Sequence, residues 1–559
     1  MMMNFFAVPL HEKNKVIMSK LLANKSILET IKQFIVQHLN LYSDVDCLYI
    51  LKGLKILVNY NITVDRTQPV VSLEQFQNFL SKINEKEQRR RDEGVYYTPK
   101  DVTEYVVLNA FVNYSNRQNK NVHSISTCIN DCLLPNNSKL RKAKIFDPTC
   151  GTAEFLLSAV NLKLSLLGVS DDSEKIAILS TIYGNDIAEE SVLLSKIRLF
   201  FSILSCLENK KYAEKISKIL NKNFTTLDFV VNDSCFPQFD IIVGNPPYVE
   251  YNKLRAKPTT KFGNAYADVL KNSINSLRTN GVIGFVIPLS FVSTTRMKGI
   301  RDFCYSNLSK LFVLNFADRP DCLFDGVHQK LTIILGSKGN EDCRVFSSSY
   351  YHWYANERKK LLDKLSVLPV KCLEQYIPKI GNKYEESIFS KLINTKGVTL
   401  TEISREMTGG SSLYLNMRGC FWMKAFTFNP GSNEYKSFAC PVDMQKYFVA
   451  LLNSNLFFLY WTIISDCWHI TSKEINGFKI PVDNVDYSVF DEIVNKLEDK
   501  LEATKKYIGS KQTEYEYKHK DCKYEIDAID VALQDIYKLT DDEVAYLREY
   551  KLKYRTSNG

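Results

Sequence analysis

The sequence predicts an α/β protein: a mostly parallel sheet flanked by helices, preceded by a helical N-terminal region and followed by a mixed C-terminal region. Three observations predict it. Between residues 94 and 340, apolar runs bounded by turn residues alternate with helical stretches: "AKIFDPTCG", "STIYGNDI", "FDIIVGNPP", "GVIGFVIP", "KLFVLNFAD" and "KLTIILGS". Residues 1–93 show helical spacing in "SILETIKQFIVQHL" and "LEQFQNFLSKI" and close on the charged run "NEKEQRRRDEG". Residues 341–485 are irregular and rich in aromatic, Gly, Asn and Ser residues, and 486–559 form a charged tail. In that tail "LEDKLEATKKYIGSKQTEYEYKHK" reads as a solvated amphipathic or coiled helix.

A chain of 559 residues exceeds one ordinary core, so two or three domains are expected. Its 45% apolar and 24% charged residues are those of a folded globular protein. Lys and Arg outnumber Asp and Glu by 72 to 63, a surplus that suits a polyanionic partner without requiring one. The fourteen cysteines form no CxxC pair, which predicts reduced thiols in a cytoplasmic protein and no metal site. The opening "MMMNFFAVPLHEKNK" lacks a basic segment and a small-residue cleavage site, so no export signal is predicted. The apolar stretch Phe448 to Ser465 is interrupted by Asn453, Ser454 and Asn455, which favours a buried helix over a membrane span.

The first strand-to-helix turn, "AKIFDPTCGTAEFLLSAV", sets Asp147, Thr149 and Gly151 where ligands bind in an open α/β sheet. It is not GxGxxG, and the carboxylate of Asp147 would repel a pyrophosphate, so a neutral or cationic nucleoside is the expected ligand. Asp186 in "YGNDI" ends the next strand and can accept both hydroxyl protons of a ribose, while Ile187 offers an apolar face to an adenine ring. Asp228 and Phe229 in "TTLDFVV" supply a third acid and the ring's other face, with Asp233 competing for the acid's role. Singly, each acid also reads as a cap or turn residue. The next strand then ends in Asn245-Pro246-Pro247-Tyr248.

This ordered set resembles the gamma class of S-adenosylmethionine-dependent DNA adenine-N6 methyltransferases, the Eco57I-like and TaqI-like enzymes. Their GxxxTP element is matched by Gly94, Thr98 and Pro99 in "GVYYTPKDVTEYVV", and the likeness covers roughly residues 94 to 335. The resemblance implies a Rossmann-like methyltransferase domain over 94–340. It implies a cofactor pocket for S-adenosyl-L-methionine lined by Thr98, Asp147, Thr149, Gly151, Asp186, Ile187, Asp228, Phe229 and Pro247. Where the family often has a second glycine, this chain has Ala153, and the stretch from Gly151 to Asp186 is longer than in compact members.

The resemblance also implies that Asn245, Pro246, Pro247 and Tyr248 carry the chemistry. An adenine amino group is a poor nucleophile because its lone pair is delocalised into the ring. Two acceptors, Asn245 Oδ1 and the Pro246 carbonyl, would favour a pyramidal nitrogen, and prolines stiffen the loop that holds them. Tyr248 can stack on a base flipped out of the duplex, and Phe324, in "DCLFDGVHQKLTIILG", fits a second wall or an ordinary core position equally well. His328 and Lys330 would serve the flanking backbone.

By position and size, 341–485 resembles a target-recognition region, and Trp468, His469 and Lys473 either reach DNA or pack a helix-to-strand corner. The expected partner is double-stranded DNA in a bacterial restriction-modification or phage-defence system. The roughly 90 residues ahead of the TP element show no acidic-plus-lysine nuclease cluster, which leaves room for a separate restriction subunit. The chain has Cys440-Pro441 but no Pro-Cys nucleophile, so a cytosine-C5 enzyme is excluded. Alternatives are methylation of RNA or of a protein glutamine, or a DNA-recognition subunit on a degenerate methyltransferase fold.

Overall fold

The computed structural model describes residues 27–58, 60–76, 98–130, 138–231, 236–251, 262–324, 326–407, 409–509 and 513–556. Gly94 and Asp233 lie outside them. The chain forms two compact units, Met1–Arg117 with Cys128–Phe285, and Gln118–Thr127 with Val286–Gly559.

In the first unit, β1 (Ile145–Asp147), β2 (Ile182–Asp186), β3 (Phe224–Thr226), β4 (Phe239–Gly244) and β5 (Leu277–Pro288) lie in the order β3-β2-β1-β4-β5. All four pairings are parallel. Every residue of β1 and β4 is buried, because helices cover both faces of a parallel sheet, and this is why these strands read as unbroken apolar runs rather than alternating ones. The crossover helices include Glu154–Leu166 after β1, Glu189–Cys206 after β2 and Ala265–Ser276 before β5. Strand order reverses at β1, with β2 on one side and β4 on the other, which opens a crevice at their carboxyl ends. Ahead of the sheet, the helix expected over "SILETIKQFIVQHL" is present as Ile27–Leu39, a second helix runs Asp44–Leu57, and most of "LEQFQNFLSKI" lies outside the described residues.

In the second unit β6 (Leu308–Phe316) pairs antiparallel with β7 (Leu331–Lys338) and parallel with β8 (Arg344–Tyr351), and β9 (Leu368–Pro369) is antiparallel to β8. A smaller antiparallel sheet follows, with β10 (Ser411–Asn416) between β11 (Ala425–Phe426) and β12 (Tyr435–Cys440). The apolar stretch near 450 is two buried helices rather than one, Gln445–Asn453 and Asn455–Ile464, bent by 58°. Ser454 makes the break: its hydroxyl accepts from Phe457 N–H at 3.0 Å and caps the second helix. Among the described residues no single helix is long and apolar enough to cross a membrane.

The tail departs from the expected continuous solvated helix. Helix Val489–Thr504 buries Phe490, Val494, Leu497 and Leu501, an apolar seam at four- and three-residue steps. It then gives way to the short hairpin β13 (Lys506–Tyr507) and β14 (Tyr515–Glu516), with Gly509 at a φ of 64° after β13. The periodicity carried across Thr504 only in charge, and charge alone packs nothing.

Candidate active site

At the end of β1, Asp147 is 2% exposed, and its Oδ1 accepts from Thr149 N–H at 3.0 Å. Burial pushes its carboxyl well above the usual range, the Thr149 bond opposes this, and the charge of Asp186 adds to it. Gly244, ending β4, is the seat of that carboxylate: a Cβ there would stand 2.7 Å from Asp147 Oδ1. Thr149 Oγ1 is buried with no hydrogen-bond partner among the described residues. Gly151 turns the chain at a φ of 51°, and a Cβ built on it meets open space. Ala153 also adopts a left-handed φ, 69°, the conformation that glycine takes without steric cost.

Asp186, at the tip of β2, accepts from Gly151 N–H through Oδ2 and from Ala188 N–H through Oδ1, both at 2.9 Å. Ile187 beside it is 65% exposed, an unusual place for an isoleucine. Its neighbour on the other side, Asn185, is 1% exposed and makes four bonds. The amide nitrogen donates to Pro148 O at 3.0 Å and Leu227 O at 2.9 Å, and Oδ1 accepts from Thr225 Oγ1 at 2.8 Å and Leu227 N–H at 3.1 Å. The loops after β1 and β3 are thereby fastened to β2. Asp228 closes a turn by accepting from Val230 N–H at 3.0 Å, and Phe229 is 3% exposed, edge-on to Phe146 at 5.7 Å. Asp147, Asp186 and Asp228 thus cluster on the ends of neighbouring strands around a turn holding an unsatisfied hydroxyl and an exposed apolar side chain. Those residues fit a nucleoside that carries a cation.

At the end of β4, Asn245 donates from Nδ2 to Thr98 Oγ1 at 3.1 Å, and its Oδ1 accepts from the hydroxyl of Tyr248. Tyr248 is half-buried, with its ring perpendicular to that of Tyr266 at 6.5 Å. Thr98 is 3% exposed and immediately precedes Pro99, the N-cap of helix Lys100–Ser115. Thr103 on that helix bonds Ser158 on the helix after β1 at 2.8 Å, docking one helix on the other.

Residues 180–320, spanning β2 to β6, match the family model for the Eco57I restriction-modification methylase. The likeness to those methylases rests on that segment. The chain is 24% identical over 291 residues to the type II methyltransferase M.HindII of Haemophilus influenzae, covering 44% of this chain and 51% of that protein. It is 24% identical over 340 residues to the type II restriction enzyme and methyltransferase RM.Eco57I of Escherichia coli, covering 50% of this chain and 32% of that one. The chain therefore spans about half the length of the first of these relatives and a third of the second. Among solved structures, the type IIL restriction-modification enzyme MmeI in complex with DNA shares the fold over 98% of both chains, at a TM-score of 0.51 and 12% identity.

The remaining residues singled out from the sequence lie in the second unit. Phe324 is 1% exposed and paired across a tight turn with Val327, so it sits in the core and presents no open face. His328 bonds Asp318 O at 3.1 Å through Nδ1. Lys330 lies 3.5 Å from Asp318 and 4.4 Å from the centre of the Trp468 ring, which also carries the Arg319 guanidinium at 5.6 Å. His469 pairs with Asp466 at 3.2 Å. Of the two readings left open for Lys473, its contacts are those of a packed corner: it donates to Ser293 O at 2.7 Å and Ile464 O at 2.6 Å and pairs with Glu474. Sequence reasoning missed Asn185 and Arg319. The signal for Asn185 was present, since alternation along a strand puts it on the face opposite Asp186; nothing in the local sequence marked Arg319.

Proposed function

We propose that this protein transfers a methyl group from S-adenosylmethionine to N6 of an adenine flipped out of a specific site in double-stranded DNA, within a restriction-modification or phage-defence system. The observation that carries this reading is the amide of Asn245, held at the end of β4 with its oxygen toward Tyr248 and its nitrogen on Thr98. The DNA-bound fold relative and the type II methyltransferase relatives support DNA as the substrate.

When bound, the cofactor supplies an electrophilic methyl group on a sulfonium. Asp147 and Asp186 would hold it, Asp186 accepting from the ribose hydroxyls and Asp147 lying where a bound cation favours its ionised form. Asn245 Oδ1 and the Pro246 carbonyl draw the two amino hydrogens of the base, which turns the nitrogen lone pair out of the ring. Tyr248 releases Oδ1 to the base and stacks on it; such stacking returns about 1–3 kcal/mol of the unstacking cost. We assign the catalytic role to residues 94–340 and target recognition to 341–485. Sequencing that detects modified adenines, applied to DNA from a methylation-deficient host expressing the protein, tests the reading. Adenines modified at one recurring site support it, and unmodified DNA from a well-expressed protein refutes it.

A further inference from the structure

We infer that Thr98 is a positioning residue that acts through Asn245, a role that rests on the methyltransferase reading above. The two ends of a carboxamide have nearly the same shape, yet one accepts and the other donates. Rotated by half a turn, Asn245 would present N–H groups to an amino group that can only donate to it, and the acceptor the reaction needs would be lost. Its Nδ2 is instead engaged by Thr98 Oγ1 at 3.1 Å. With Thr98 only 3% exposed, water has little room to replace that partner.

The hydroxyl is itself held. Pro99 restricts the backbone of the residue before it to extended conformations. Pro99 O accepts from Val102 and Thr103 N–H at 3.1 and 3.0 Å, starting the helix that Thr103 docks through Ser158. Thr98 therefore holds a hydroxyl at a fixed point on a packed element, where it accepts from Asn245 Nδ2. Accepting from Nδ2 also polarises the amide, which strengthens Oδ1 as an acceptor. The resemblance implied a place for Thr98 in the cofactor pocket; its hydrogen bond points to the catalytic amide.

The test is single-turnover methyl transfer by the full chain to a duplex containing its site, with cofactor affinity measured alongside. Thr98→Val keeps the shape and removes the hydroxyl, and Thr98→Ala gives a second variant if the first folds poorly. Both should slow methyl transfer by about tenfold to a hundredfold, the effect of leaving a half-buried amide without one partner. Cofactor affinity should stay within about twofold, and Thr98→Ser should recover most of the rate. Combined with Asn245→Ala, Thr98→Val should cost nothing further, because residues that act through one another are not additive. Losses that multiply would overturn the inference, as would a loss of cofactor affinity in place of rate, which would return Thr98 to the pocket. Wild-type rates from Asn245→Ala would sink the reading of the Asn245 loop itself, an outcome distinct from both.

Discussion

Gly244→Ala adds one methyl group to the floor of the proposed site, and its consequence can be worked from the structure. The new Cβ would stand 2.7 Å from Asp147 Oδ1, 3.2 Å from its Cγ and 3.5 Å from Oδ2. The first distance is roughly 0.5–1 Å short of ordinary contact, and Asp147, at 2% exposure, cannot swing into solvent to relieve it. The strain should lower stability by about 1–3 kcal/mol, with the melting temperature falling about 2–4 °C for each kcal/mol. The displaced carboxylate should also weaken S-adenosylmethionine binding about tenfold or more, or about 1.4 kcal/mol upward. Titration calorimetry on the full chain, well below its melting temperature, reads the affinity. Gly53→Ala is the control: its Cβ would lie 2.8 Å from the Ala213 carbonyl carbon, away from the sheet ends, so it should cost stability and spare affinity. Wild-type affinity in Gly244→Ala, with its stability lowered as expected, would refute the placement of Asp147 at the cofactor.

Asp147→Asn should stabilise the cofactor-free protein increasingly as pH rises from about 4. A carboxyl raised on folding favours the native state only while protonated, so the wild type loses stability as pH climbs through the raised value, and chemical denaturation across pH should show this slope flattened in the variant. Asp186→Ala should weaken cofactor binding by roughly 1–3 kcal/mol, and unchanged calorimetry would remove it from the ribose. Tyr248→Phe should keep most of the methyl-transfer rate and capture a fluorescent adenine analogue at least as well as the wild type, because the hydroxyl that occupies Asn245 Oδ1 is gone; a loss as deep as in Tyr248→Ala would mean that the hydroxyl itself is required. Replacing exposed Arg319 by Ala should reduce the salt dependence of DNA binding by about one phosphate contact, and an unchanged slope would place the clamp elsewhere.

The parallel half of the fold was legible because its signals are local. Strands buried on both faces read as apolar runs, and acids at their ends mark the turns. Fully buried Phe324 and structural Lys473 were less legible, since an aromatic or a lysine has the same sequence appearance on a surface and in a corner. The tail's hairpin escaped for a similar reason: charge continues past Thr504 while the helix does not. Ala153 shows the converse, a small residue in a left-handed position that its neighbours impose. Asn245 was legible as a type, but which way its amide faces depends on Thr98, distant in sequence, and no local pattern encodes that.

Asn185 joins the ends of three strands with one side chain. The cleft's walls therefore take their shape during folding, and the ordering entropy is lost then rather than when a ligand arrives, which favours tight binding by a small molecule. It also makes the three segments a single unit of exchange. A transplant of β2 from a relative with an apolar residue at 185 would leave two carbonyls, a hydroxyl and an N–H seeking partners, so β2 can be exchanged only together with the matching ends of β1 and β3.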